Sequence, residues 1–198
     1  TYSLARMFSA HLTTSLVKMK KPNFITFLIG FVVVVGVFSV IKFFYMQPSY
    51  KDGEKAPDFI GMLPDGEAFK LSQLQGKYVL LDFWGSWCGP CIRESPALVA
   101  LYNKYGDKSF KDAEGFTIVS VAIDKKKTRW AKTVERLGLN WPYQLMDPVS
   151  NFKFFDSPIA NEYGVKQVPT KFLIDEKGQI VSVDPTVEEI DRFLQEKM

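Results

Sequence analysis

The chain contains 198 residues, of which 46% are apolar, with 25 basic and 22 acidic side chains, two cysteines and one histidine. That length suits one domain with an additional segment. Residues 1–50 carry five of the basic side chains and none of the acidic ones, so the rest of the chain is slightly acidic. Nucleic acid is therefore not expected as a partner, because nucleic-acid-binding domains concentrate basic charge on their folded part. Two cysteines are too few for a four-thiolate metal site or a framework of several disulfides.

An uncharged and strongly apolar segment runs from Pro22 to Ile41. Its 20 residues would extend roughly 30 Å as a helix, which matches the hydrocarbon core of a bilayer. Three lysines precede it, namely Lys18, Lys20 and Lys21. By the positive-inside rule, the N-terminus is expected in the cytoplasm and the remainder outside, with residues 22–46 attached to the membrane as a single pass.

The parts of the chain before the domain are assigned from the same pattern. Since the chain begins with Thr1 and a short charged region starts at Met19, residues 1–18 are interpreted as an upstream extension, and His11 is given no role. Residues 19–46 are predicted to be a signal anchor. It is expected to stay uncleaved, because no Ala-x-Ala signature is present and Val37-Phe38-Ser39 is only a weak cleavage site. Residues 47–55 are predicted to be a tether.

Residues 56–198 show the alternation of apolar runs and helical patterns that is typical of an α/β domain. A hairpin is predicted around residues 64–66, and buried strands over residues 77–84 and 116–123. Further strands are predicted over residues 143–146, 171–174 and 179–183, with helices after the cysteines, over residues 125–137 and 159–163, and after Thr186. This order predicts a mixed sheet with helices on both faces.

The sequence Cys88-Gly89-Pro90-Cys91 lies between a predicted buried strand and the first turn of a helix. The positive end of a helix stabilises a thiolate over a thiol. Cys88 is therefore expected to be exposed and to attack, and Cys91, one turn later, to displace it from a mixed disulfide.

Other chemistries of a Cys-x-x-Cys pair are less consistent with this sequence. Zinc or iron–sulfur binding needs about four ligands, and residues 56–198 contain no further Cys or His. Haem attachment needs a histidine after Cys91, where Ile92 stands. A structural disulfide across so small a loop would constrain little of the unfolded chain. No metal or cofactor is expected beyond a redox-active Cys88–Cys91 disulfide.

Two motifs resemble those of thioredoxins. Residues 83–91, Phe-Trp-Gly-Ser-Trp-Cys-Gly-Pro-Cys, resemble the active-site segment, and residues 164–170, Gly-Val-Lys-Gln-Val-Pro-Thr, resemble the later loop that contains a cis-proline. The apolar leader, the hairpin, Cys-Ile-Arg-Glu-Ser-Pro at residues 91–96 and the 77 residues between Cys91 and Pro169 resemble, more narrowly, the TlpA/ResA-like thiol-disulfide oxidoreductases of bacterial cell envelopes. The resemblance covers about residues 55–197. It implies a thioredoxin fold, an α/β mixed central β-sheet flanked by helices, with an N-terminal β-hairpin, a helical insertion and an N-terminal transmembrane helix.

The resemblance implies roles for individual residues. Cys88 would be the nucleophile and Cys91 the resolving thiol. Pro169 would be cis beside the disulfide, which leaves the backbone of Val168 free to pair with an extended substrate. Trp87 is a candidate substrate-binding residue. The main role expected of Trp84 and Trp87, however, is to shield the site from solvent.

Two acidic residues are candidates for proton handling. Asp82 matches the buried acid of thioredoxin, so its pKa should be raised and it could take the proton of Cys91, unless it is an edge residue without chemistry. The lysine that accompanies this acid in thioredoxin aligns with Ser120, which counts against a charge-coupled relay. Glu94 matches an acidic residue of the TlpA/ResA-like family. It either tunes the thiols or is a solvated helix position.

Residues elsewhere are given structural roles. Lys125, Lys126 and Lys127 are expected to form a solvated helix start. Core packing is expected of four aromatic residues in the inserted region: Trp141, Phe152, Phe154 and Phe155.

The sequence therefore predicts a membrane-anchored, extracytoplasmic (periplasmic) oxidoreductase that reduces protein disulfides, with electrons supplied by an integral thiol-transfer protein of the bacterial cytoplasmic membrane. A redox-gated adaptor module of the cell envelope, for instance in cytochrome assembly, stays an alternative. A peroxiredoxin-like peroxidase would share Ala56-Pro57-Asp58-Phe59 but would need a threonine where Gly85 stands.

Overall fold

The computed structural model describes residues 23–47, 49–150 and 157–198. The predicted extension over residues 1–18, with His11, lies outside the described residues, as do Phe152, Phe154 and Phe155, for which core packing was expected. Helix α1, Phe24–Met46, is long and apolar enough to cross a membrane. Its length and composition agree with the predicted anchor.

A unit from Phe44 to Met198 contains the remaining described elements. Its strands, in chain order, are β1 (Ile60–Met62), β2 (Ala68–Lys70), β3 (Tyr78–Trp84), β4 (Phe116–Asp124), β5 (Tyr143–Pro148), β6 (Thr170–Ile174) and β7 (Ile180–Val183). Its α-helices are α2 (Gly89–Tyr105), α3 (Lys127–Leu137), α4 (Pro158–Glu162) and α5 (Val187–Lys197). The predicted elements are confirmed, with boundaries that differ by a few residues.

The central sheet has the strand order β5-β4-β3-β6-β7. Strands β3, β4 and β5 are parallel, whereas β6 is antiparallel to both β3 and β7. Strands β1 and β2 form a separate antiparallel hairpin. The sheet is therefore mixed and has the thioredoxin-like arrangement that the resemblance implies.

Side chains of the central strand β3 alternate between two hydrophobic cores, because successive residues of a strand point to opposite faces. Val79, Leu81 and Phe83 pack with the hairpin and α4. Tyr78, Leu80 and Trp84 pack with α2, α3 and α5. Helices thus cover both faces, as expected, but unequally, since the hairpin shares one face with the short α4.

Local sequence explains where the helices begin. Cys88 is the N-cap of α2, and Pro90 lies in its first turn, where the absent N–H costs nothing. Thr186 caps α5: its hydroxyl accepts a hydrogen bond from the Glu189 amide, and the Glu189 carboxylate accepts one from the Thr186 amide. The predicted capping box is confirmed.

Candidate active site

The two cysteines lie at the junction of β3 and α2. They form a disulfide with a sulfur–sulfur distance of 2.09 Å. The backbone N–H of Cys91 donates a hydrogen bond to Cys88 Sγ over 3.2 Å. Because this N–H belongs to the first turn of α2, the positive end of the helix points at the Cys88 sulfur, an arrangement that favours a thiolate there.

Cys88 is less exposed than the sequence predicted. Both cysteines are only 4% exposed, and both belong to the core beneath α2. The sulfur of Cys88 is enclosed by its bonded partner and by the Val168 carbonyl, while the neighbouring Gly89 and Pro90 are exposed. In the oxidised state, the accessible part of this loop is therefore the backbone and ring at Gly89 and Pro90, beside the buried Cys88.

The Val168–Pro169 peptide bond is cis, as the resemblance implies. Cys88 Sγ lies 3.7 Å from the carbonyl oxygen of Val168, and Val168 and Pro169 are both half-buried. The two motifs, 80 positions apart in the chain, thus form one surface. The half-buried Trp87 is tied to β4 by a hydrogen bond of 2.8 Å from its indole N–H to the Ile123 carbonyl.

A buried polar contact holds the loop before the dithiol. The backbone N–H and the hydroxyl of Ser86 both donate to the carboxylate of Asp124, over 2.8 and 2.7 Å. Both residues are nearly inaccessible. The sequence interpretation missed this pair, although an aspartate that ends the apolar run of β4 is a signal for it.

Gly85 is required by close packing. A Cβ atom at this position would lie 2.6 Å from Trp87 Nε1 and 3.2 Å from the Ile123 carbonyl oxygen. The threonine that a peroxiredoxin site needs would therefore not fit without moving Trp87. The geometry here disfavours the peroxidase alternative.

Asp82 is buried, as the resemblance to thioredoxin implied, and it lies on the face of β3 that α2 covers. Burial is the main reason that its pKa is raised from 3.8 to about 7; nearby Lys171 lowers this pKa, Glu94 raises it, and a hydrogen bond from Ser120 lowers it. Asp82 and Cys91 line the same small cleft, together with Glu94. A carboxyl group with this pKa is suited to exchange a proton near neutral pH.

Lys171 occupies the place next to Asp82 that the sequence interpretation left without a cation. It is the pairing partner of Asp82 across β3 and β6, whereas Ser120 is the partner across β3 and β4. The doubt about a charge-coupled relay was based on Ser120 alone, whereas the other neighbouring strand supplies a lysine opposite Asp82. The signal was a single lysine inside the apolar strand after Pro169.

Glu94 is ion-paired, so it is not a freely solvated helix position. Its two carboxylate oxygens lie 2.8 and 3.0 Å from Lys171 Nζ. The Lys171 side chain is only 5% exposed, compared with 24% for that of Glu94. The pair thus connects the first turns of α2 to β6 beside the cleft.

Trp141 extends the polar contacts to the other side of Asp82. Its indole N–H donates to the hydroxyl of Ser120 over 3.0 Å, and that hydroxyl donates to Asp82 over 3.3 Å. Trp141 is 2% exposed, which confirms the expected core packing. Within the described ranges, no group of three or more His, Cys, Asp or Glu side chains could hold a metal ion.

The fold and the site together define a thioredoxin-fold protein with a Cys-x-x-Cys pair at the start of a helix. The AhpC/TSA family model matches residues 53–183. ResA of Geobacillus kaustophilus, a thiol-disulfide oxidoreductase, is 34% identical over 164 residues, which cover 81% of this chain and 86% of that protein. ResA of Bacillus subtilis is 34% identical over 137 residues, which cover 69% of each chain. The chain belongs to the AhpC/TSA family and is a thiol-disulfide oxidoreductase related to ResA.

Solved structures agree with this assignment. The thioredoxin domain of a thiol-disulfide oxidoreductase from Bacteroides vulgatus superposes with a TM-score of 0.63 at 29% identity, over 75% of this chain and 98% of that one. A thiol:disulfide interchange protein from a Bacteroides species gives a TM-score of 0.62 at 28% identity, over 73% and 88%. The N-terminal apolar helix α1 is consistent with a membrane anchor.

Proposed function

We propose that the protein reduces disulfides of client proteins outside the cytoplasmic membrane, with Cys88 as nucleophile and Cys91 as resolving thiol. The observation that carries this proposal is the position of Cys88 Sγ. It lies at the start of α2 and accepts a hydrogen bond from the N–H of Cys91. It is also 3.7 Å from the carbonyl oxygen of the half-buried Val168. An extended client segment would pair with the backbone at Val168, beside Pro169 and Trp87.

The proposed reaction adds two electrons and two protons to the client disulfide. The Cys88 thiolate attacks a client disulfide, a mixed disulfide forms, and the first client thiolate leaves and takes a proton from water. Cys91 gives its proton to the Asp82 carboxylate, and its thiolate attacks Cys88 Sγ. The second client thiolate then leaves and takes a proton from water, and Asp82 returns its proton to water. The client ends as a dithiol and the protein as the Cys88–Cys91 disulfide.

Renewed activity requires electrons from a donor. In an oxidising compartment, an integral thiol-transfer protein of the membrane would reduce the Cys88–Cys91 disulfide again. We propose that α1 keeps the domain close to that donor as a single-pass anchor, with the N-terminus in the cytoplasm. No metal or further cofactor is part of the proposal.

Insulin reduction tests the activity. The full chain in detergent micelles, supplied with dithiothreitol, should accelerate the precipitation of reduced insulin, and Cys88→Ser should abolish this acceleration because the attacking thiolate is absent. Ser109→Ala, at an exposed serine, serves as the control with wild-type turnover. Wild-type turnover by Cys88→Ser would refute the mechanism.

The physiological direction needs a separate test. Alkylation of thiols in growing cells, followed by mass measurement, should find Cys88 and Cys91 mainly as the dithiol, because a reductase is kept reduced by its donor. A chain found mainly as the disulfide would contradict the proposed direction and would leave the exchange chemistry intact.

A further inference from the structure

Two ionisable side chains, Asp82 and Glu94, line the cleft behind the disulfide with Cys91, and a third, Lys171, binds Glu94 beside it. Asp82 belongs to β3, Glu94 to α2 and Lys171 to β6. Lys171 is buried, and side chains of directly paired residues lie on the same face of a sheet. Its ammonium group therefore lies beside Asp82 while it binds Glu94.

Two carboxyl groups thus share one cation. The Lys171 ammonium group lies 2.8 and 3.0 Å from the two oxygens of Glu94, so its closest ionic contacts are with Glu94. Among the described residues, the hydrogen-bond donor to Asp82 is the Ser120 hydroxyl, at 3.3 Å. In a buried cluster with one positive and two negative groups, one carboxyl group stays incompletely compensated, and it is the one that binds a proton most readily.

We propose that Lys171 is the positioning residue of the proton relay: by binding the Glu94 carboxylate beside Asp82, its ammonium group sets the charge that Asp82 meets when it takes the proton of Cys91. This inference rests on the proposed function of the dithiol. The step moves one proton from Cys91 Sγ to a carboxylate oxygen of Asp82, and that proton later returns to water. Neither Lys171 nor Glu94 takes part in this transfer.

The groups around Asp82 allow two substitutions with opposite effects. Lys171 faces it from β6, Glu94 and Cys91 from α2, and Ser120 from β4. Removing the cation with Lys171→Met leaves the negative charge of Glu94, so Asp82 should hold its proton more tightly. Removing that negative charge with Glu94→Gln leaves the cation, so Asp82 should lose its proton more easily.

The test is a carboxyl carbon NMR titration of the oxidised full chain in detergent micelles, with the Asp82 signal assigned by its loss in Asp82→Asn. Relative to wild type, Lys171→Met should move the Asp82 midpoint to higher pH by about one pH unit, and Glu94→Gln should move it to lower pH. Lys171→Arg retains the cation and should restore a midpoint close to that of wild type.

A purely structural role predicts a different pattern. If Lys171 served only to hold α2 against β6, both variants would break the same ion pair and would move the midpoint in the same direction or leave it in place, and either result would overturn the proposal. If Lys171→Met does not fold, a midpoint in Glu94→Gln at or above the wild-type value has the same meaning. The titration uses no client and no turnover, so its outcome is independent of insulin reduction.

Discussion

Lys171 lies directly opposite Asp82 in the antiparallel register of β6 and β3, and its ammonium group is 2.8 Å from Glu94. Lys171, the cation opposite the buried Asp82, is therefore already ion-paired with a second carboxylate, that of Glu94. This relationship connects the sheet to the first turns of α2, which carry Cys91. It places one cation and two carboxyl groups behind the disulfide, apart from the proposed client surface at Val168.

Asp82 should make the stability of the fold depend on pH. Its pKa of about 7 in the folded chain lies above the ordinary value of 3.8, so the folded state binds the proton more tightly than the unfolded state does. The group's stabilising contribution is therefore present below about pH 4 and is lost as the pH rises through about 7.

Asp82→Asn cannot ionise and should remove this dependence. The variant should be more stable than wild type by roughly 2 to 4 kcal/mol at pH 8, and the difference should shrink towards pH 4. Urea unfolding of the oxidised chain at a series of pH values measures this, with Asp107→Asn at an exposed position as the control. A difference that is the same at every pH would mean that Asp82 is not a buried titrating group.

The contact between Ser86 and Asp124 should be important for the stability of the loop before Cys88. Asp124→Ala leaves two buried donors of Ser86 without their acceptor, which should cost about 2 to 4 kcal/mol, whereas Ser86→Ala removes the hydroxyl but retains the backbone hydrogen bond and should cost about 1 kcal/mol. Equilibrium unfolding measures both variants.

A double variant provides the internal check. Since both substitutions remove the same hydroxyl–carboxylate bond, the loss in Asp124→Ala/Ser86→Ala should be smaller than the sum of the two single losses. Strict additivity would show that the two residues do not stabilise the fold through each other.

Gly85→Ala should displace the Trp87 indole, because the added Cβ would lie 2.6 Å from its Nε1. We expect a loss of about 1 to 3 kcal/mol and faster hydrogen exchange of the Trp87 indole N–H, which donates to Ile123 in the wild type. Gly115→Ala is a matched control, since the nearest atom to its Cβ would be a carbonyl oxygen at 3.6 Å. Unchanged exchange at Trp87 in Gly85→Ala would show that the loop accommodates a side chain.

Much of the fold was predictable because its signals are local. The apolar run of β3, the turn at Pro64-Asp65-Gly66 and the capping box of Thr186 each determine nearby backbone, and each is observed where it was predicted. The cysteine motif likewise predicts a helix start at Cys88 from its own residues. Local pattern was sufficient at these places because the hydrogen bonds involved join residues close in the chain.

The parts of the site that were missed depend on pairing across the sheet. The pairing of Asp82 with Lys171 across β3 and β6 joins residues far apart in sequence, and nothing within β3 indicates which neighbouring strand supplies the cation. The Ser86–Asp124 bond joins residues 38 positions apart. The exposure of Cys88 was overestimated for a related reason, since the Val168 carbonyl that helps enclose its sulfur comes from a distant loop.

The most direct test of the central proposal, that Cys88 makes the first covalent bond with the client, compares two single-cysteine variants. Reduced Cys91→Ser and Cys88→Ser, each as the full chain in micelles, are mixed with a disulfide-linked peptide, and adducts are followed by mass spectrometry. We predict that Cys91→Ser accumulates a stable adduct at Cys88, because no resolving thiol is present, and that Cys88→Ser forms an adduct far more slowly. Adduct formation at Cys91 in Cys88→Ser as fast as at Cys88 in Cys91→Ser would contradict the proposal.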